Sequence, residues 1–451
     1  MRLKLLTLAL ALSAIALPSY GQDLMDAYRD AQANDPVLSQ ADATRLSTNE
    51  GVNQARALLL PQISAGLTLS QTNGGSGTFE DPNNPGQFIS SSRFGHTRTR
   101  STSAQLSQTV LDFSKYANLK AAHSTAETQD EIYQAASQAL YTRVAQAYFG
   151  VLTSEDALVY SKASEDAFRQ QFEQADQRFK VGLSAITDVY QAKAAYEAAK
   201  SQTIAAQNTV NDSREALTQI TGKPATDLKK LRDDLPMQPP TPADQDSWVK
   251  QALQTNPNLL AQKSNVETAE HNITAARAGH LPTISANVSY GKNASWYQNG
   301  GAGNNGRSTS PSTTVGLTLN VPIFSGGMTQ SRVRQSIYQR DVATDSMESE
   351  RRQVVRDTLN YYRSVIAGIA QVGSAKASVE SGQKALEATR AGFDVGTQTL
   401  TDVLLAIQTL TSSESSYSQA RHQFILNKLL LEQTAGTADL KDMESINALL
   451  Q

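Results

Sequence analysis

Arg178-Phe179-Lys180-Val181-Gly182-Leu183-Ser184-Ala185-Ile186-Thr187-Asp188-Val189 and Gly392-Phe393-Asp394-Val395-Gly396-Thr397-Gln398-Thr399-Leu400-Thr401-Asp402-Val403 are two versions of one stretch. Each sets a Val-Gly turn between two long helical patterns and places an aspartate six residues beyond the glycine. The two glycines stand 214 positions apart. The chain around them is doubled as well. Asn34-Asp35-Pro36 corresponds to Thr255-Asn256-Pro257, and Leu60-Pro61-Gln62-Ile63-Ser64 to Leu281-Pro282-Thr283-Ile284-Ser285, both at an offset of 221. A period this long exceeds that of solenoid repeats and implies two copies of one structural unit.

Each unit opens with a helical segment, 37–60 or 258–281, closed by Pro61 or Pro282. An alternating segment follows. Ile63, Ala65, Leu67 and Leu69 interleave with Ser64, Gly66, Thr68 and Ser70; Ile284, Ala286, Val288 and Tyr290 interleave with Ser285, Asn287 and Ser289. After Gly/Asn/Ser-rich loops, roughly 71–101 and 291–312, return strands show the same period. Ala104, Leu106 and Val110 are expected on one face, with Gln108 breaking it; Val315, Leu317, Leu319 and Val321 are expected on another. Period-two alternation predicts strands with one apolar face and one face of small polar residues. A strand pair on a soluble core would alternate too, but the purely Ser/Thr/Asn/Gln/Gly face suits a wet lumen. Strands of about 9–10 residues cross a bilayer when tilted. Four strands cannot close, and open edges are not tolerated in lipid, so the chain is expected to oligomerise. Eight strands fill their own interior, whereas twelve leave a channel, which points to three copies.

Proline-free helical patterns run from Ser114 to Val181 and from Met328 to Val395, 68 residues each. Helices of this length reach on the order of 100 Å. Shorter ones, Ser184 to Thr221 and Gln398 to Ala435, follow the turns. Val189, Tyr196, Thr203, Val210 and Leu217 recur every seven residues with Ala192, Ala199, Ala206 and Ser213 between them, and Val403 to Leu431 repeats the pattern. This is a coiled-coil seam, which builds wall and carries no chemistry. The expected organisation is a signal peptide at 1–21, a first repeat at 22–221, a Pro-rich linker at 222–250, a second repeat at 251–435 and a tail at 436–451.

Hydrophobic content is 39% over 451 residues, low for one large core but suited to extended helices. Net charge is −3 with dispersed basic residues, which argues against nucleic acid as a partner. The absence of cysteine excludes disulfides and a cysteine-linked lipid anchor. Arg2 and Lys4, the apolar run Leu5 to Leu17 and Ser19-Tyr20-Gly21 read as an export signal too short to span a membrane. The histidines have no metal-ligand spacing, and no nucleophile motif is present. Gly301-Ala302-Gly303-Asn304-Asn305-Gly306 matches a dinucleotide fingerprint in letters but opens no helix. An enzyme is not expected, and no cofactor is implied.

The two turns, with Leu60-Pro61-Gln62, His280-Leu281-Pro282-Thr283 and Pro322-Ile323-Phe324-Ser325-Gly326-Gly327 in this order, resemble the TolC family of outer-membrane efflux and secretion channels. The resemblance covers nearly the whole mature chain. It implies a homotrimer in which four strands per chain make a 12-stranded β-barrel in outer-membrane lipid. A long α-helical barrel of coiled-coil hairpins continues it into the periplasm. A periplasmic adaptor (membrane fusion) protein and an inner-membrane transporter are the implied partners, and substrates pass without covalent change. By the same resemblance Asp402 belongs to a constricting carboxylate ring. A second aspartate often found one turn later is Leu405 here, which adds an apolar layer. The family's gate latch corresponds to Thr187 and Asp188 on the first turn and Phe393 and Gln398 on the second, without the hydroxyl or charge those last two positions can carry. Val181, Gly182 and Leu183, with Val395, Gly396 and Thr397, resemble adaptor-docking sites. The plainer reading of Asp188 and Asp402 is that they begin helices, and of the glycines that they serve the turn. The alternative for the whole chain is a soluble periplasmic coiled-coil structural or adaptor protein.

Overall fold

The computed structural model describes residues 21–451 apart from 74–76, 82, 92–94, 226 and 300–305. The expected signal peptide, but for Gly21, and the dinucleotide look-alike, but for Gly306, lie outside the described residues. The chain divides into two compact units, and each draws on both halves of the duplication. One holds residues 46–128 and 263–346; the other holds residues up to 45, 129–262 and 347–451.

The first of these units is built on strands. β1 (Gln62–Asn73), β4 (Gly95–Leu111), β5 (Thr283–Asn299) and β6 (Gly306–Asn320) form one antiparallel sheet in the order β1-β4-β5-β6. A small hairpin, β2 (Gly77–Glu80) with β3 (Phe88–Ser91), lies between β1 and β4 in sequence. The β4–β5 pairing joins the two halves of the chain. Register aligns whole rows: Ile63, Leu106, Val288 and Val315 lie side by side, while Ser64, Gln105, Ser289 and Thr314 occupy the other face. The apolar row is not covered within the chain, with Ile63 76% and Val315 75% exposed. β1 and β6 each keep one unpaired edge.

The strands are longer than the alternation suggested, at 12, 17, 17 and 15 residues. Much of the expected loop is strand, because Ser/Thr/Asn-rich ends pair through the backbone while offering no apolar period. Pro311 sits within β6, which is tolerable because β6 is an edge. The expected sharing of a face by Ala104, Leu106 and Val110 needs correcting. A bulge between Thr109 and Leu111 takes Val110 out of register and sets Leu111 opposite Ile284. Gln108 stays opposite Ala286, and its Nε2 donates to the carbonyl of Leu59 at 2.9 Å.

The second unit is mostly helical, and the first also carries the helical residues 46–57, 113–128, 263–278 and 328–346. α1 (Leu24–Asn34) leads into α2 (Pro36–Ala57), and α5 (Gln245–Thr255) into α6 (Pro257–Ala278). α3 (Phe113–Lys180) and α7 (Met328–Asp394) are the long helices, of 68 and 67 residues. α4 (Ile186–Thr221) and α8 (Leu400–Thr434) return from the turns, and α9 (Leu440–Asn447) lies in the tail. α1 and α5 were not anticipated, although Asp23 and Asp244 are caps that accept backbone N–H groups of the next turn. The Asp35-Pro36 and Asn256-Pro257 joints are equivalent: Asp35 Oδ2 accepts from Leu38 N at 2.9 Å, and Asn256 Oδ1 from Leu259 N at 3.1 Å. Asp35 is also held by both terminal nitrogens of Arg143, at 2.8 and 3.0 Å.

The predicted seam on α4 is buried at Val189, Ala192, Ala206, Val210 and Leu217. The main core gathers Leu24 and Tyr28 of α1, Tyr148 and Phe149 of α3, Trp248 of α5, Phe424 and Leu429 of α8, and Met443 of α9. Linker and tail are tied to it. Tyr148 Oη donates to the carbonyls of Gln22 and Lys229, and buried Arg421 donates to the carbonyls of Leu231 and Arg232.

Candidate functional site

The two quoted turns end α3 and α7 in the same way. Leu183 N donates to Arg178 O at 2.8 Å and Gly182 N to Phe179 O at 2.9 Å; Thr397 N donates to Gly392 O at 2.8 Å and Gly396 N to Phe393 O at 3.1 Å. This paired pattern needs a residue in the left-handed region, and Gly182 and Gly396 supply it at φ 76° and 80°. A Cβ at either glycine would meet nothing within 4 Å, so backbone conformation alone demands glycine. Hydrophobic side chains at the turns face outward, with Val181 69% and Val395 76% exposed. Behind the turns, Phe168 and Ala175 of α3, Val189 and Ala192 of α4, Leu386 of α7 and Val403, Leu404 and Ile407 of α8 form one core. The ends of the hairpins are thus anchored by apolar packing, which leaves their polar residues free for other work.

Asp402 is the third residue of α8 and closes a reciprocal cap. Asp402 N donates to Thr399 Oγ1 at 3.3 Å, while Thr399 N and Oγ1 both donate to Asp402 Oδ2, at 2.8 and 2.7 Å. These two bonds, the hydroxyl first, hold the carboxyl below its ordinary pKa. Leu405 follows three residues later on the same helical face and is 61% exposed, while Leu404 turns into the core. A half-buried carboxylate and an exposed isobutyl group therefore share one face. The helix-starting reading of Asp402 holds in the geometry, and it leaves that face accessible.

The four positions matched to the latch are not joined as a set within one chain. Asp188 accepts from Ser184 Oγ at 2.7 Å, and Thr187 is exposed. Gln398 folds back over Gly392, where an added Cβ would stand 2.6 Å from its Cγ, and its backbone N donates to Gly392 O. Among the described residues no hydrogen bond links Gln398 to Asp188. Phe393 does bridge the two hairpins, by another route: the Arg178 guanidinium lies 4.7 Å from its ring centroid. A second bridge runs from Gln191 Nε2 to Thr401 Oγ1 at 3.0 Å. Arg178, Gln191 and Thr401 were not singled out from sequence, because only folding shows which residues of the two hairpins meet. The Thr399-Asp402 spacing was a visible capping signature.

The sequence profile of the outer membrane efflux protein family matches residues 27–223 and 248–437. The chain is 33% identical over 446 residues to the outer membrane protein TolC of Escherichia coli (strain K12), covering 98% of this chain and 87% of that protein. It is 25% identical to the alkaline protease secretion protein AprF of Pseudomonas aeruginosa, covering 95% and 88%. Among solved structures, the Campylobacter jejuni CmeC outer membrane channel superposes with a TM-score of 0.74 at 16% identity, covering 95% of this chain and 90% of that one.

Proposed function

This chain belongs to the outer membrane efflux protein family, and from that premise we propose that three copies close their sheets into one twelve-stranded barrel whose helical hairpins run on into the periplasm. The protein is an outer-membrane exit channel for efflux or type I secretion. The observation that carries the proposal is the sheet: four strands, two unpaired edges, an uncovered apolar band on one face and small polar residues on the other. Unpaired edges are not tolerated in lipid, so each edge needs the opposite edge of a neighbour. Closure by three puts the Ser/Thr/Asn/Gln face around a water-filled lumen. A soluble coiled coil would leave that apolar band in water with no partner.

Within the trimer, Asp402 and Leu405 form the constriction, three of each around the axis. Mutual repulsion raises the pKa of such a ring, while the Thr399 cap acts in the opposite direction. The gate is held by Phe393 through Arg178 and by Thr401 through Gln191, with Asp188 and Gln398 contributing turn geometry; Thr187 is left exposed for contacts between copies. The exposed turns Val181-Gly182-Leu183 and Val395-Gly396-Thr397 receive a periplasmic adaptor, which links the channel to an inner-membrane transporter. The test is mass and conductance of the detergent-purified protein. The expected result is a species of three chain masses that forms cation-selective pores, in which Asp402→Ala weakens block by divalent cations and Leu405→Ala enlarges conductance. Extraction without detergent as a monomer that never conducts would refute the channel, and unchanged conductance in both variants would move the constriction elsewhere.

A further inference from the structure

The apolar face of the sheet changes character toward the strand ends farthest from α2 and α3. The row Ile63, Leu106, Val288 and Val315 is wholly apolar, whereas the row Gln71, Arg98, Trp296 and Arg307 is cationic and aromatic. Arg100 lies one row nearer the apolar band, opposite Leu69 and Ala294, and Lys292 lies one row nearer again, opposite Thr102 and Pro311. All four cations share the face of the apolar band and are exposed. Arg100 and Arg307 flank the Trp296 ring, with guanidinium carbons 5.8 and 5.6 Å from its centroid, and Arg98 Nε donates to Gln71 Oε1 at 3.1 Å.

Among the described residues no carboxylate forms an ion pair with these cations. Between 62 and 111 and between 283 and 320 the sequence holds only two carboxylates, Glu80 and Asp81. Both are engaged in their own turn: Glu80 accepts from Gly86 N at 2.7 Å, and Asp81 from Asn83 N at 2.9 Å and Asn84 Nδ2 at 3.0 Å. Arginines at the edge of a lipid-facing band reach the headgroup level, where lipid anions are available to meet them. A tryptophan at the same level suits the interface between hydrocarbon and headgroups.

We propose that this patch binds the phosphates of a multiply phosphorylated acylated lipid, whose chains lie along the apolar band below. The proposal rests on the channel reading, since it takes the apolar face to be the lipid-facing one. More than one phosphate is favoured by spacing. Arg98 and Arg307 stand two strands apart, roughly 10 Å at the usual strand separation, and Lys292 lies several residues down β5 from Trp296. One phosphate cannot span these cations, whereas two on a single headgroup can. Guanidinium groups add bidentate hydrogen bonds that an ammonium cannot make.

The experiment uses the full-length trimer in neutral detergent, titrated with a diphosphorylated acylated diglucosamine and followed by native mass spectrometry and tryptophan fluorescence. Each cation near an anionic lipid surface contributes about fivefold in affinity. The variant Arg98→Gln/Arg100→Gln/Arg307→Gln is therefore expected to bind about a hundredfold more weakly. The corresponding triple lysine variant keeps most of the binding, which separates charge from folding. Equal binding by the wild type and the glutamine variant overturns the proposal. Displacement by millimolar inorganic phosphate overturns it, and so does equally tight binding of phosphatidylglycerol, which has one phosphate. Conductance in a neutral-lipid bilayer is measured alongside. A wild type that binds the lipid but never conducts supports the lipid site and refutes the channel reading.

Discussion

Removing the Arg178 guanidinium tests whether the two hairpin ends are tied together as the geometry implies. Arg178→Ala leaves the core behind the turns intact, because Val189, Leu386, Val403 and Ile407 do not depend on it. It deletes the cation 4.7 Å from the Phe393 ring, one of the two ties between the hairpins described above. A partly exposed cation–π contact contributes about 0.5–1 kcal/mol. In the proposed trimer, three copies opening together would forfeit about 1.5–3 kcal/mol of closed-state stability. That is roughly a ten- to hundredfold rise in the open-to-closed ratio. The assay is single-channel open probability of the purified protein in a planar bilayer. Phe393→Leu should raise open probability at least as much, since it also loses packing against the core, and Arg178→Ala should add nothing on top of it. An open probability unchanged within twofold in both single variants, with Gln191→Ala equally silent, would refute the reasoning and place the latch outside the chain's own contacts.

Three further outcomes follow from other parts of the molecule. Burial, reinforced by the nearby Asp442 carboxyl, pushes Glu432 up to about 8 from its ordinary 4.5. A carboxyl raised in the folded state stabilises fully below the unfolded value and loses that contribution as pH rises through the folded one, so Glu432→Gln should gain melting temperature over wild type at pH 8 and none below 4.5; a gain independent of pH contradicts this. Asp35 is 3% exposed and paired with Arg143, so Asp35→Ala should cost about 3 kcal/mol in urea unfolding. Asp35→Asn, which copies Asn256 and keeps the cap on Leu38, should cost clearly less. Gly182→Val strains a backbone at φ 76° but meets no neighbour, so the proposed trimer should assemble while export through the proposed adaptor contact is lost; normal export would remove this turn from the proposed docking surface.

Much of the architecture was legible because its signals are periodic. Seven-residue spacing on α4 and α8 and two-residue alternation on the strands survive in a bare sequence, since each records which face meets water. Where period failed, so did the reading. The ends of β1, β4, β5 and β6 looked like loops because small polar residues on one face and cations and aromatics on the other leave no apolar period there. α1 and α5, at 11 residues each, fell between longer patterns despite clear aspartate caps. Val110 was misplaced because a bulge changes the count without changing composition.

The duplicated Val-Gly stretch sets where the chain must reverse, for a reason internal to each turn: only glycine accepts the left-handed conformation that ends α3 and α7. That much is local chemistry and is determined residue by residue. Which side chains meet across the turns is not local. Gln398 was matched to Asp188 by position; within one chain it folds back over Gly392, and Asp188 Oδ2 accepts from Ser184 Oγ. Phe393 instead takes a cation from Arg178, a residue more than 200 positions away in sequence. Only the tertiary structure decides such a pairing, because it depends on the rotation of packed helices about one another, and the apolar core behind the turns fixes that rotation.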